Sequence, residues 1–197
     1  TTESRGLGDV YKRQLLYRDL GKIEDALISL NKAIKIMPNN YIYKLLKADL
    51  FKDLGNFNES SSILLDLYSA KNIKDKKDIL LMLSTVKRLD KNFNEAEKIL
   101  LETIKQYPNF SQAYLNLSDL YFEKKQSIKA KEIALKGINI NQVIPEMYVN
   151  LGFICRNLGE INEAKQYLLK ALSINKRLFK CYMNLSTFYD FSDNPKE

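Results

Sequence analysis

Arg156–Asn175 reads RNLGEINEAKQYLLKALSIN, and Arg18–Asn40, near the other end of the chain, reads RDLGKIEDALISLNKAIKIMPNN. Both open on Arg-x-Leu-Gly and carry an alanine at matching offsets, Ala26 with Ala164 and Ala33 with Ala171. Self-similarity of this kind marks a repeat architecture, so the period is the first quantity to establish. The small-residue landmark recurs as Ala26, Ser60, Ala96, Ala130 and Ala164, at separations of 34, 36, 34 and 34 residues. A second register gives Ala33, Leu67, Thr103, Gly137 and Ala171, and a third gives Gly21, Gly55, Lys91, Lys125 and Gly159. Each unit holds two stretches with apolar residues at helical spacing. Between them lies a position that suits glycine, because a left-handed residue ends a helix without a Cβ clash. The unit is therefore a helical hairpin. Small landmark residues let its helices approach closely, while Leu100 and Leu168 fill the space beside them. A single hairpin cannot bury both of its faces, whereas stacked hairpins can. The expected fold class is an all-α solenoid of stacked antiparallel helix pairs.

Composition narrows the function. The chain has 197 residues, 45% hydrophobic and 28% charged, which is ordinary for a globular protein. It has no histidine and no tryptophan, and its cysteines are Cys155 and Cys181. That removes every His-dependent catalytic arrangement and most metal sites, so no catalytic residue, no metal and no cofactor is expected within this chain. Both cysteines fall at core-type positions and are expected to be buried, reduced thiols. No apolar run approaches the roughly 20 residues needed to cross a bilayer, so no membrane partner is expected. Scarce cysteine and the lack of a signal-peptide pattern point to a reducing cytoplasm. The abundance of Lys, Asn, Ile, Tyr and Phe over Gly, Pro and Ala is what AT-rich coding DNA produces.

The residues resemble the tetratricopeptide repeat. The fourth unit shows it with Tyr114, Leu117, Ser118 and Tyr121 on its first helix and Ala130 on its second; the fifth shows it with Tyr148, Leu151, Gly152, Gly159, Ala164 and Ala171. Tyr182, Leu185, Ser186 and Tyr189 begin a sixth. The resemblance implies a right-handed superhelix. Where the family usually has Trp on the first helix, this chain has Tyr or Leu. The closing Pro survives as Pro38 and Pro108 but is Gln142 and Lys176 elsewhere. The repeat array is expected over 15–197, in units 7–40, 41–76, 77–110, 111–144 and 145–178 and an incomplete one from 179. The second unit fits least well. Lys47 stands where Leu is expected, and two extra residues around KNIKDKK predict a lengthened, exposed loop.

Ser4–Gln14, SRGLGDVYKRQ, fits no period. It matches the in-frame translation of a transposon-based sequencing-library adapter, so 1–14 is expected to be non-native and the gene to have been assembled from shotgun reads. Arg5, Lys12 and Arg13 against Glu3 and Asp9 contribute +1 there, which reduces the formal +7 of the chain to +6. The remaining lysines are spread over many helices and often lie close to Glu or Asp, the pattern of a solvated face. No nucleic-acid partner is expected. At the other end, Asp193-Asn194-Pro195 reads as the start of a further helix, with Asp or Asn as the cap and Pro in the first turn. The next small landmark, 34 residues after Ala164, falls one position beyond Glu197.

In stacked hairpins of this family the first helices line the concave surface. The sixth residue of the last three units is Asn116, Asn150 and Asn184, spaced 34 and 34. An amide offers a donor and an acceptor together, which suits the backbone of an extended peptide. The arrangement resembles the asparagine ladder in the repeat superhelix of O-GlcNAc transferase, and Leu46 and Met82 interrupt it in the second and third units. Phe153, Leu115, Val149 and Met183 are expected to add apolar contacts. Asp119, Arg156 and Glu146 are expected to set charge preference. The carboxylate clamp found in chaperone-binding members needs paired Lys and Asn. Leu115 with Asp119 and Val149 with Phe153 stand there instead, so acidic C-terminal tails are not expected to bind in that way. Two functions are compatible with these residues. One is an interaction scaffold for a protein or peptide, with no small-molecule substrate. The other is the non-catalytic arm of a larger glycosyltransferase or sulfotransferase.

Overall fold

The computed structural model describes residues 23–190, with the side chains of all of them except 23, 180 and 187–190. Among the described residues every regular element is an α-helix. In order these are α1 (Ile23–Ile36), α2 (Tyr41–Asp53), α3 (Phe57–Ser69), α4 (Lys77–Leu89), α5 (Phe93–Gln106), α6 (Ser111–Glu123), α7 (Ser127–Ile140), α8 (Pro145–Asn157), α9 (Ile161–Ile174) and α10 (Phe179–Asp190). They fall into two compact units, Thr1–Asn92 with α1 to α4 and Phe93–Glu197 with α5 to α10. Within each unit, consecutive helices pack against one another. The adapter-like stretch, the helix expected over 7–19, the turn at Gly21 and the cap at Asp193 lie outside the described residues.

The turn register behaves as one device. Gly55, Lys91, Lys125 and Gly159 have φ of 76°, 62°, 59° and 79°. The amide three residues past the end of each helix donates back across the turn, from Asn56 to the Phe51 carbonyl at 2.8 Å, Asn92 to Lys87 at 2.9 Å, Gln126 to Tyr121 at 2.8 Å and Glu160 to Cys155 at 2.9 Å. These are the closures that satisfy helix-end carbonyls when the next residue is left-handed. Glycine takes that conformation without cost. Lysine does not, because its Cβ crowds the following carbonyl by about 1 kcal/mol or more. Lys125→Gly is therefore expected to stabilise the protein by about 0.5 to 1 kcal/mol, the strain relieved less the extra freedom of glycine in the unfolded chain. A urea midpoint raised at unchanged slope checks this.

The landmark registers lie inside. Ala26, Ser60, Ala96, Ala130 and Ala164 are fully buried, and so are Thr103 and Ala171. Within a hairpin the helices come so close that a serine hydroxyl crosses to the other backbone. Ser60 Oγ on α3 donates to the Ala48 carbonyl on α2 at 2.7 Å, and Ser118 Oγ on α6 donates to the Ala130 carbonyl on α7 at 2.9 Å. The serine sits on opposite helices in the two hairpins, so the pair of small positions, not either residue alone, sets the approach. In the next hairpin the pair is Gly152 and Ala164, and a Cβ added at 152 would lie 2.6 Å from Leu168 Cγ. Between hairpins, Tyr114, Leu115, Ala134, Met147 and Leu151 form one buried cluster; Tyr148, Val149, Ala164, Leu168, Ala171, Cys181 and Leu185 belong to the next. Cys155 and Cys181 are buried free thiols, as their positions suggested.

The loop 70–76 departs in part from expectation. Lys71, Asn72, Lys74 and Asp75 are exposed, but Ile73 is buried and pins the extra residues to the core. Lys76 Nζ donates to the Tyr68 carbonyl beneath it. Lys47, standing where a leucine belongs, avoids a buried charge by reaching Asn31 Oδ1 on α1 at 2.9 Å, with its ammonium 5.7 Å from the centre of the Phe51 ring. Long stems allow this, since the methylenes bury while the charged end finds polar partners.

Candidate functional site

All three register asparagines lie in the unit Phe93–Glu197, on α6, α8 and α10, and all three are half-buried. The side chains of Asn150 and Asn184 join the helices of consecutive repeats. Asn150 Nδ2 donates to Asp119 Oδ1 on α6. Arg156 Nη1 on α8 donates to Asn184 Oδ1 on α10 at 2.7 Å. Asn116 Oδ1 accepts from Gln112 Nε2 on its own helix at 3.5 Å. Four of the six predicted site residues are thus brought together as two cross-repeat pairs, Asp119 with Asn150 and Arg156 with Asn184. This pairing was not legible from spacing, which places residues on a face but does not say which partner a side chain reaches.

The fifth, Phe153, stands with Asn150 in a pocket of about 330 Å³, lined also by Glu146, Val149, Arg177, Leu178 and Phe179. The first helix α8 supplies one wall. The short connection before α10 and the first residue of α10 supply the other. Pro145 in the first turn sets the start of α8. Asn175 Oδ1 accepts from the Arg177 amide at 2.9 Å, a turn that shapes the connection. Leu178 is half-buried, whereas Phe179 is 82% exposed. Sequence reasoning missed Arg177, Leu178 and Phe179. The available signal was a large aromatic at the first position of its unit, where Ser111 and Pro145 stand in the two before it. The other apolar candidates divide. Leu115 is buried in the cluster between hairpins and Val149 is buried at the pocket edge, so Leu115 is a packing residue and not a groove residue; Met183 is 70% exposed.

A second cluster has the composition of a metal site. Cys155, Glu160 and Glu163 place one ligand atom each within 4.8 Å of one another. Lys131 Nζ on α7 reaches Glu160 Oε2 at 2.6 Å and Glu163 Oε2 at 2.7 Å, so its ammonium already supplies the positive charge between the carboxylates. Burial pushes the Cys155 thiol up to about 12, which keeps it protonated and a poor ligand at neutral pH. The cluster is a clamp tying α7 to α9.

One tetratricopeptide repeat model matches residues 15–40 and 145–177, and another matches 99–132. The chain carries tetratricopeptide repeats. No curated protein sequence matches it. Among solved structures, a tetratricopeptide repeat protein from Parabacteroides merdae is 21% identical, with a TM-score of 0.75 over 90% of this chain and 68% of that one. A thermophilic tetratricopeptide repeat protein from Thermus thermophilus is 16% identical, with a TM-score of 0.74 over 91% of this chain and 97% of the other. YrrB, described as a tetratricopeptide repeat protein with an unusual peptide-binding site, is 14% identical, with a TM-score of 0.60 over 88% of each chain. At such identities the likeness is one of fold. Tyr114 and Tyr148, two of the residues that stand where these repeats usually have Trp, are buried. Among the described residues, no helix is long and apolar enough to cross a membrane.

Proposed function

We infer that this chain is a protein-interaction scaffold that binds an extended segment of a partner along the first helices α6, α8 and α10. The observation carrying this reading is the pocket between α8 and α10, where Asn150 and Phe153 converge with exposed Phe179. A site of this kind holds few polar groups on an apolar lining, which is the usual make-up of a binding cleft. Asn150 donates through its nitrogen to Asp119 and has its carbonyl oxygen as an acceptor for a peptide amide. The peptide-binding site named for YrrB supports the same use of the fold.

Three asparagine contacts at roughly 1 kcal/mol each give only millimolar affinity, so apolar anchoring must supply the rest. The triple variant Asn116→Ala, Asn150→Ala, Asn184→Ala is expected to weaken binding of an extended partner segment about tenfold while its circular dichroism stays helical. Unchanged affinity would make the asparagines structural staples between repeats and nothing more.

A further inference from the structure

We propose that the pocket between α8 and α10 selects a linear motif of mixed charge. One aromatic or long aliphatic side chain of the partner sits among Val149, Phe153, Leu178 and Phe179. A basic residue on one side of it meets Glu146, and an acidic residue on the other meets Arg177. This deepens the groove reading above and rests on it.

The apolar part follows from the lining. Four of the seven residues around the roughly 330 Å³ pocket are large and apolar, and the most exposed of them, Phe179, is 82% accessible. A rigid aromatic ring presented to water beside a half-buried one offers large contact area at little ordering cost, which is how anchor residues are received. The volume suits one large side chain and not a folded surface.

The charged part follows from two groups that share the pocket. Glu146 and Arg177 are exposed, and among the described residues neither side chain makes an ion pair. Several other charges of this unit are engaged: Arg156 with Asn184, Lys131 with Glu160 and Glu163, and Lys124 with Glu97. A carboxylate and a guanidinium on one pocket leave both signs available to a ligand. A uniformly acidic tail or a nucleic acid would be repelled by Glu146, and a uniformly basic one by Arg177. A segment carrying both signs around an apolar residue complements all three features.

Fluorescence anisotropy of labelled synthetic peptides tests this. The probes are Lys-Ser-Phe-Ser-Glu and its variants with two lysines, with two glutamates, or with serine in place of phenylalanine. The unmodified protein should bind the mixed-charge peptide about threefold more tightly than either same-charge peptide, the scale of one exposed pair. Losing the phenylalanine should weaken binding about tenfold. Glu146→Lys should shift the preference to the two-glutamate peptide, and Arg177→Glu to the two-lysine peptide; both positions are exposed, and Glu146→Gln and Arg177→Gln serve as milder versions. If the asparagine triple variant loses binding but the charge variants change no preference, this proposal fails and the groove reading stands. Failure of all four peptides to bind at about 1 mM overturns it. So does self-association by sedimentation that Phe179→Ser abolishes without any peptide preference, which would assign the pocket to a second copy.

Discussion

Gly152→Ala is expected to destabilise the protein in its natural background and to stabilise it once Leu168 is cut back to alanine. Gly152 on α8 faces Leu168 on α9. A Cβ there would lie 2.6 and 2.7 Å from Leu168 Cγ and Cδ2, and 3.4 Å from the Ala164 carbonyl oxygen. Leu168 is 1% exposed and cannot swing into solvent. Overpacking of that kind costs about 1 to 3 kcal/mol. Against it stands the helix preference of alanine over glycine, roughly 1 kcal/mol at a mid-helix position. At contacts this short the steric cost wins. Leu168→Ala alone opens a cavity in a buried cluster and is expected to cost about 2 to 5 kcal/mol. In that background the clash is gone and only the helix preference remains, so adding Gly152→Ala should recover about 1 kcal/mol and fill part of the cavity. Urea midpoints for the four proteins of the cycle measure the coupling. Equal destabilisation by Gly152→Ala in both backgrounds would show that the approach of α8 to α9 does not depend on this pair.

The second large effect is expected at Glu97 on α5. Its carboxylate accepts from the Tyr121 hydroxyl on α6 at 2.9 Å and from Nζ of Lys124, the residue that caps α6, at 2.5 Å. The side chains of Lys124 and Glu97 are 20% and 24% exposed, so solvent screens them incompletely. Glu97→Ala leaves an ammonium and a phenol half-buried without that acceptor, at an expected cost of about 1 to 3 kcal/mol. The hydrogen bond from Lys124 holds the Glu97 carboxyl below its ordinary value, against the opposing effect of burial. A depressed carboxyl contributes stability that is present above its unfolded value and is lost as pH falls through its folded value. The difference between the parent and Glu97→Ala should therefore shrink on acidification below about pH 4. Tyr121 works at the other limit. Burial first, and Glu97 second, push its phenol up to about 12. Its contribution is fully present below pH 10, the ordinary tyrosine value, and is lost as pH rises to about 12. A stability difference that stays flat across both limits would rule out this network.

The repeat was legible because its signals are local and periodic. Small residues at Ala130 and Ala164 and left-handed turns at Gly55 and Gly159 each recur within one period, and agreement of several registers needs no tertiary information. Even Lys91 and Lys125, poor residues for a positive φ, could be placed there by counting from their glycine counterparts. The site was legible only in outline. Counting put Asn116, Asn150 and Asn184 at one position of three first helices but was silent on the bonds from Asn150 to Asp119 and from Arg156 to Asn184. Those bonds depend on the rise and rotation between repeats, which side-chain packing sets.

Leu115 and Val149 mark the same boundary. Both stand beside the asparagine register on apolar positions, and sequence alone allowed either a groove or a packing role. The stacking of the next hairpin covers Leu115 with Met147 and Leu151. By contrast Arg177 and Leu178 belong to a connection without helical period, so no register pointed to them; Phe179 offered only its first position in the unit, and the fold alone brought all three to one pocket with Phe153. What the sequence by itself determined is the hairpin, its period and its turns, because those rest on helix periodicity and on the φ each residue tolerates. What only tertiary structure decided is which surface residues meet across repeats to make a pocket, because that contact is made between segments some 30 residues apart whose relative placement is fixed by the packing of the helices between them.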